Sequence, residues 1–366
     1  MLTNKEKEIL AIIAKEPTID QNRLAELLDI SRSTVAVHIS SLQKKGYLLG
    51  RGYIVKEDEA PVLGIGAALI DIYGFSQIRI RAHYDHPASI RSSFGGVMHN
   101  IISNYVMLGG KAKLITAYGD DAIGKSIADE CTKRNIDVSD SLAVKGAFSG
   151  IFMQVQDENN DMYLALCDMS ILDYLDPAYI EEKKDVLLNA RAVVLDASLK
   201  QETIAAIVEL CRGKVTLIAD PISDNLAVKL APYLADIDLL KANKGELENL
   251  AGLKIKDNSD VEKAADRLLA KGLKRLVASL GSQGIMYQDQ EQRIYRKFKK
   301  EKMANASGAG DALSAAFVYG LVNDLDLERT IDLGLAAGIA AVRSDKAINE
   351  NMSVELLDSI IEESKK

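Results

Sequence analysis

From Val62 onward the chain alternates short apolar runs with helical segments, and nothing else in the sequence restricts its fold so strongly. The runs at 61–65, 113–117, 192–195, 215–219, 239–241 and 275–279 read as strands buried on both faces of a parallel sheet. Helical segments at 99–108, 123–134, 201–211, 245–250 and 261–271 separate them. This order predicts an α/β domain, doubly wound around a mainly parallel sheet. Two stretches break the pattern. Residues 73–94 and 149–166 alternate polar and apolar side chains without a long helix, which predicts antiparallel strands of a second, smaller sheet.

Residues 1–55 have a different texture. Ile9, Ile12 and Ile13 recur at helical spacing, Pro17 breaks that helix, and Leu24, Leu27 and Leu28 line a second short one. Asp29 and Ile30 turn the chain. Ser31 or Ser33 can then cap a third helix striped by Val35, Ile39 and Leu42 and ended by Gly46. Tyr47–Leu49 and Tyr53–Val55 can pair as a hairpin. Three helices and a hairpin resemble a winged helix-turn-helix, with Arg32, Ser33 and Thr34 at the start of a DNA recognition helix. A helical appendage that binds no DNA has the same pattern. Residues 56–61, charged and ending in proline, read as a linker to a domain spanning 62–366.

Charge divides the same way. Residues 1–56 carry a net +3 within a chain of −8, leaving −11 for the remainder, so any nucleic-acid contact belongs to the head. Cys131, Cys167 and Cys211 form no CxxC pair, which suits a reducing cytoplasm. His83 and His86 are three apart, but no acidic or cysteine cluster completes a metal site, so they read as a polar loop. The N-terminus lacks a cleavage site, and no uncharged stretch reaches membrane-spanning length.

Four segments carry chemistry. Asn305-Ala-Ser-Gly-Ala-Gly-Asp311 precedes a helix beginning near Asp311. Its glycines admit a ligand close to the backbone, and helix N-terminal N–H groups favour negative charge there. Asp311 either accepts a proton from an attacking hydroxyl or caps the helix. Gly95-Gly96-Val-Met-His-Asn100 also opens a helix, and its glycines and amide suit a polyhydroxylated ligand. Asn243 and Glu246, three apart after a strand, either arrange a hydrated Mg²⁺ or form an ordinary cap. Ser279-Leu-Gly-Ser-Gln-Gly284 either passes beneath a nucleotide or is a plain turn.

In order and spacing, GIGAALID, GGVMHN, ADP, NKGE, SLGSQG and NASGAGD resemble the PfkB, or ribokinase-like, carbohydrate kinase family. The resemblance implies a ribokinase-like fold whose smaller sheet is a lid closing over the sugar and excluding water. It implies ATP-dependent phosphorylation of a hydroxymethyl group with Asp311 as base and the N–H groups of Gly308, Ala309 and Gly310 as anion hole. Asn243 and Glu246 would organise Mg²⁺ through water. Asp71, Gly95, Gly96 and Asn100 would grip sugar hydroxyls, and Ser279, Gly281 and Gly284 would lie near ATP. Asn305 stands where the family usually has Asp, which bears on the monovalent-cation site that some members have. Cys167-Asp168-Met169-Ser170-Ile171 resembles a stretch of pseudouridine kinases, as do VVLDAS, IADPIS and DLLKANKGELENLAG. That implies pseudouridine as acceptor, at its 5′-hydroxyl, with Asp168 either on the ligand or capping its loop. Other sugars and purine nucleosides stay open.

A second function class fits the same head: a sugar- or nucleoside-responsive transcription regulator with a kinase fold as sensor. The retained Asp311 and glycines oppose a catalytically dead sensor. Lid edge strands can pair between subunits, so a homodimer is a further expectation.

Overall fold

Capping chemistry sets the helix boundaries of the N-terminal unit. The computed structural model describes residues 2–15, 19–48, 60–159, 161–297 and 308–365. Its first helices are Asn4–Lys15, Gln21–Leu28 and Arg32–Lys44. Asp20 accepts from the N–H groups of Asn22 and Arg23, and Ser31 from that of Thr34, satisfying donors that a helix start leaves open. Asp29, at φ 51°, makes the turn between the last two helices. Ile9, Ile13, Leu24, Val35, Ile39 and Leu42 close a small core. Leu27, expected on the buried side, is 50% exposed, since an eight-residue helix has room for little more than one buried position here. Ser41 Oγ and Lys45 Nζ both donate to buried Glu6, at 2.7 and 2.8 Å, and tie the first helix to the third. Of the expected hairpin, Leu49 and residues 53–55 lie outside the described residues, as does 56–59 of the linker.

The large sheet has nine strands in the order Arg293–Arg296, Ile285–Gln288, Leu276–Ser279, Leu239–Asn243, Thr216–Asp220, Ala192–Asp196, Val62–Ile65, Ala112–Ile115 and Ile136–Asp137. The first two form an antiparallel edge and the rest run parallel. Alternate residues of each strand enter two cores. Leu63, Ile65, Leu195, Leu217 and Leu240 face one, and Val62, Val194, Ile218 and Val277 face the other, beneath helices Val97–Met107 and Ala309–Val322. Burial on both sides explains why these strands read as continuous apolar runs. Among the described residues no helix is long and apolar enough to cross a membrane.

The smaller sheet has the order Ala88–Gly95, Leu69–Ser76, Ile151–Gln156, Met162–Asp168. Its outer pairs are antiparallel, but the central pair is parallel, which corrects the all-antiparallel expectation. Alternation in sequence is the same for either direction. The connection decides it: strands joined by short loops turn back, whereas the central two are joined through elements of the large sheet and run alike. His83 and His86 lie in the exposed loop between the first two strands in sequence. His86 Nε2 accepts from the Arg81 N–H at 2.8 Å, as a polar loop requires.

Candidate active site

Parallel strands converge on the site through their C-terminal ends, where open α/β sheets bind ligands. Asp196, Asp220, Asn243 and Ser279 are the last residues of four neighbouring strands. Asp196 is fully buried and accepts from the N–H groups of Ala67 and Ser198, both at 3.0 Å. Burial pushes its carboxyl up to about 6 despite those bonds. Asp220 accepts from Ser314 Oγ at 3.0 Å and pairs with Lys241 Nζ at 3.2 Å.

Lys241 is a site residue that reading for motifs missed. Burial opposes its charge, but Asp220, Glu246 and Asp311 surround it and hold its pKa above the ordinary lysine value. The signal was present in the sequence: a lysine within the apolar run DLLKAN has no reason to be buried unless it is paired.

Asp311 stands in the first turn of helix Ala309–Val322. Gly308 precedes the helix at φ 79°, with its Cα against the Ala347 carbonyl, so no side chain fits there. A methyl group on Gly310 would lie 2.7 Å from Lys241 Nζ. The ammonium and the open N–H groups of this helix start therefore face the same space. Asn100 donates its amide to Asp311 Oδ2 at 2.8 Å. Burial and Asp220 push the Asp311 carboxyl up to about 7, against the pull of Lys241 and the Asn100 bond. Residues 305–307, including Asn305, lie outside the described residues.

The lid places Asp71 next to the start of the helix that carries Asn100. It is buried beside Gly95, where any Cβ would strike its carboxylate, and Tyr73 OH donates to it at 3.2 Å. Burial raises it to about 6. Gly96, at φ 95°, starts the Asn100 helix against the Ala67 carbonyl. Asp168 does not join this group. It is aligned with Ile151, whereas Asp71 is aligned with Phe152 and, beyond it, Cys167. Alternate residues point to opposite faces, so Cys167 shares the Asp71 face and Asp168 lies on the other. Exposed Asp168 accepts from the Ser170 N–H at 2.9 Å, the loop-capping arrangement. Ser279, Gly281 and Gly284 stay together in the tight turn after Leu276–Ser279, closed by the Leu280 N–H on the Gly284 carbonyl at 2.9 Å.

The model of the pfkB family of carbohydrate kinases matches residues 60–353. The chain belongs to this family. It is a phosphotransferase that acts on a hydroxyl group of a sugar or nucleoside. The sugar kinase YeiI of Escherichia coli K12 is 29% identical over 361 residues, covering 98% of this chain and 99% of its own. The pseudouridine kinase of the same organism is 28% identical over 302 residues, covering 82% and 96%. The crystal structure of a sugar kinase from Clostridium perfringens superposes with a TM-score of 0.75 at 28% identity, over 84% of this chain and 97% of that one.

A pfkB kinase works with ATP and a divalent metal, and the residues here fit a hydrated ion better than a caged one. Among the described residues no three His, Cys, Asp or Glu side chains are arranged to hold a metal. Asn243 and Glu246 form a full capping box: Glu246 Oε2 accepts from the Asn243 N–H at 2.7 Å, and Asn243 Oδ1 from the Glu246 N–H at 3.0 Å. The cap does not conflict with the metal reading, since Mg²⁺ keeps several waters and needs few carboxylates. Burial lifts Glu246 to about 7, with Lys241 pulling it down.

A winged helix-turn-helix DNA-binding model matches residues 2–48 of this kinase. Arg32, Ser33 and Thr34 open the third helix and are exposed. The Ser33 and Thr34 hydroxyls sit 2.7 and 2.8 Å from the capping Ser31 Oγ, so the cap already engages both.

Proposed function

We propose that this kinase phosphorylates the 5′-hydroxyl of pseudouridine from ATP, with Asp311 as general base. One observation carries the catalytic assignment: Asn100 holds the Asp311 carboxylate at 2.8 Å, at the start of the helix that Lys241 faces. In this reading Asp311 takes the hydroxyl proton as the bond to the γ-phosphorus forms and the bond to the β–γ bridging oxygen breaks. Lys241 and the N–H groups of Gly308, Ala309 and Gly310 bear the charge on the transferred group. Asp71, Gly95 and Gly96 hold the sugar, while Ser279, Gly281 and Gly284 line the ATP side. Asn243 and Glu246 would hold Mg²⁺ through its waters, and the ion would supply charge compensation to the phosphates.

The acceptor is inferred from the similarity to a pseudouridine kinase and from the lid. Tyr73 and Phe152 meet edge to face at 6.4 Å beside Asp71, an aromatic wall suited to a base ring. Pseudouridine should therefore show a higher kcat/KM than uridine, ribose or fructose in an ATP-consumption screen. Comparable values for any of the three would reject the acceptor while leaving the family untouched.

The head, residues 1–55, is proposed to bind DNA, joined through 56–61 to the kinase domain of 62–366. Both activities belong in the cytoplasm, where the three unpaired cysteines stay reduced. Duplex binding by the full chain should weaken steeply with added salt. Deleting residues 1–56 should abolish it and leave phosphorylation within about twofold. Unchanged DNA binding after the deletion would remove the head from this role.

A further inference from the structure

Helix Arg32–Lys44 carries one outward residue that its own packing leaves unexplained. At about 100° per residue, Val35, Ile39 and Leu42 fall on one side and are buried. Ser33, Val37, Ser40 and Lys44 fall within a narrow stripe on the opposite side, and all four are exposed. Val37 is 67% exposed and takes no part in the core of the head. Around it on the stripe are the Ser33 and Ser40 hydroxyls and the Lys44 ammonium rather than further apolar side chains. The helix, RSTVAVHISSLQK, contains no acidic residue.

That combination selects the occupant. A protein partner of an exposed valine needs a contiguous apolar patch, which the stripe does not offer. A duplex needs cations toward the phosphates, small polar groups along the groove floor and an apolar group only where a base presents one. In the major groove that group is the 5-methyl of thymine. We propose that Val37 is a specificity-determining residue of the head, contacting the methyl group of one thymine in each bound site. This rests on the reading of the head as DNA-binding and adds which base is read, and by which atom.

The test removes the methyl and nothing else. Duplexes selected from a random library by the full-length protein are remade with deoxyuridine in place of each thymine in turn, and Kd is measured at fixed salt. One thymine per bound site should matter, its replacement weakening binding about fourfold, as expected for one buried methyl. Val37→Ala, which loses both γ-methyls, should bind the parent duplex more weakly and be indifferent to that replacement, whereas Val37→Thr, which keeps a γ-methyl, should remain sensitive. If no replacement affects the wild type, or if Val37→Ala is as sensitive as the wild type, the methyl contact is wrong although DNA binding stands. Enrichment of no duplex at all overturns the contact together with the DNA-binding reading.

Discussion

Asp311→Asn should lower kcat by about 100- to 10,000-fold while the KM values for ATP and acceptor stay within a few-fold. A primary hydroxyl is a poor nucleophile at neutral pH, and the carboxylate both orients it and receives its proton. Asparagine keeps the size and can still pair with Asn100, so orientation persists in part. It cannot take the proton, and an interaction needed chiefly in the transition state is lost from kcat rather than from binding. The pH profile supplies an independent check. With Asp311 raised to about 7 by burial and by Asp220, the base is protonated, and idle, below that pH. Wild-type kcat/KM should therefore fall about tenfold per unit as pH drops below ~7. The residual activity of Asp311→Asn should lack that limb. A variant keeping kcat within a few-fold of the parent would sink the assignment.

Lys241→Met is expected to have the next largest effect. The ammonium faces Gly310 at the helix start and is shared among Asp220, Glu246 and Asp311. Losing one charge donor to the transferred group should cost about 100- to 1,000-fold in kcat. The same loss removes a cation that pulls the Asp311 pKa down, so the acidic limb should move to higher pH. Stability should fall as well. Asp220 and Lys241 are both buried, and removing one partner of such a pair costs about 3–5 kcal/mol in urea unfolding. Adding Asp220→Asn removes the stranded charge and should restore much of that stability without restoring turnover. If Lys241→Met unfolds more easily yet keeps its kcat and its pH profile, the lysine is a structural counter-ion and nothing more.

These two residues illustrate where reading the sequence succeeds and where it stops. The parallel strands, the third helix of the head and the helix start at Gly308 were legible because each depends on local pattern: runs buried on both faces, a capping serine, a glycine where only glycine fits. Asp311 could be singled out, because a carboxylate at a glycine-rich helix start is a local arrangement. Its partner could not. Asn100 lies 211 positions away, and only the packing of its helix against that of Asp311 brings the amide to 2.8 Å. Asp168 and Cys167 are adjacent in sequence, so no motif could say which one shares the face of Asp71. Strand register decides it, through the pairing of 151–156 with both neighbours. The parallel direction of the central lid strands likewise follows from a long connection and not from their own alternation. The sequence by itself determined which segments become strands, helices and glycine turns, since those choices cost or gain free energy within a few residues. Tertiary structure alone decided which charges meet. Lys241, Asp220, Glu246 and Asp311 come from two strands, the helix that follows the second and a distant helix, and the raised proton affinities of Lys241, Glu246 and Asp311 exist only once folding brings the four together.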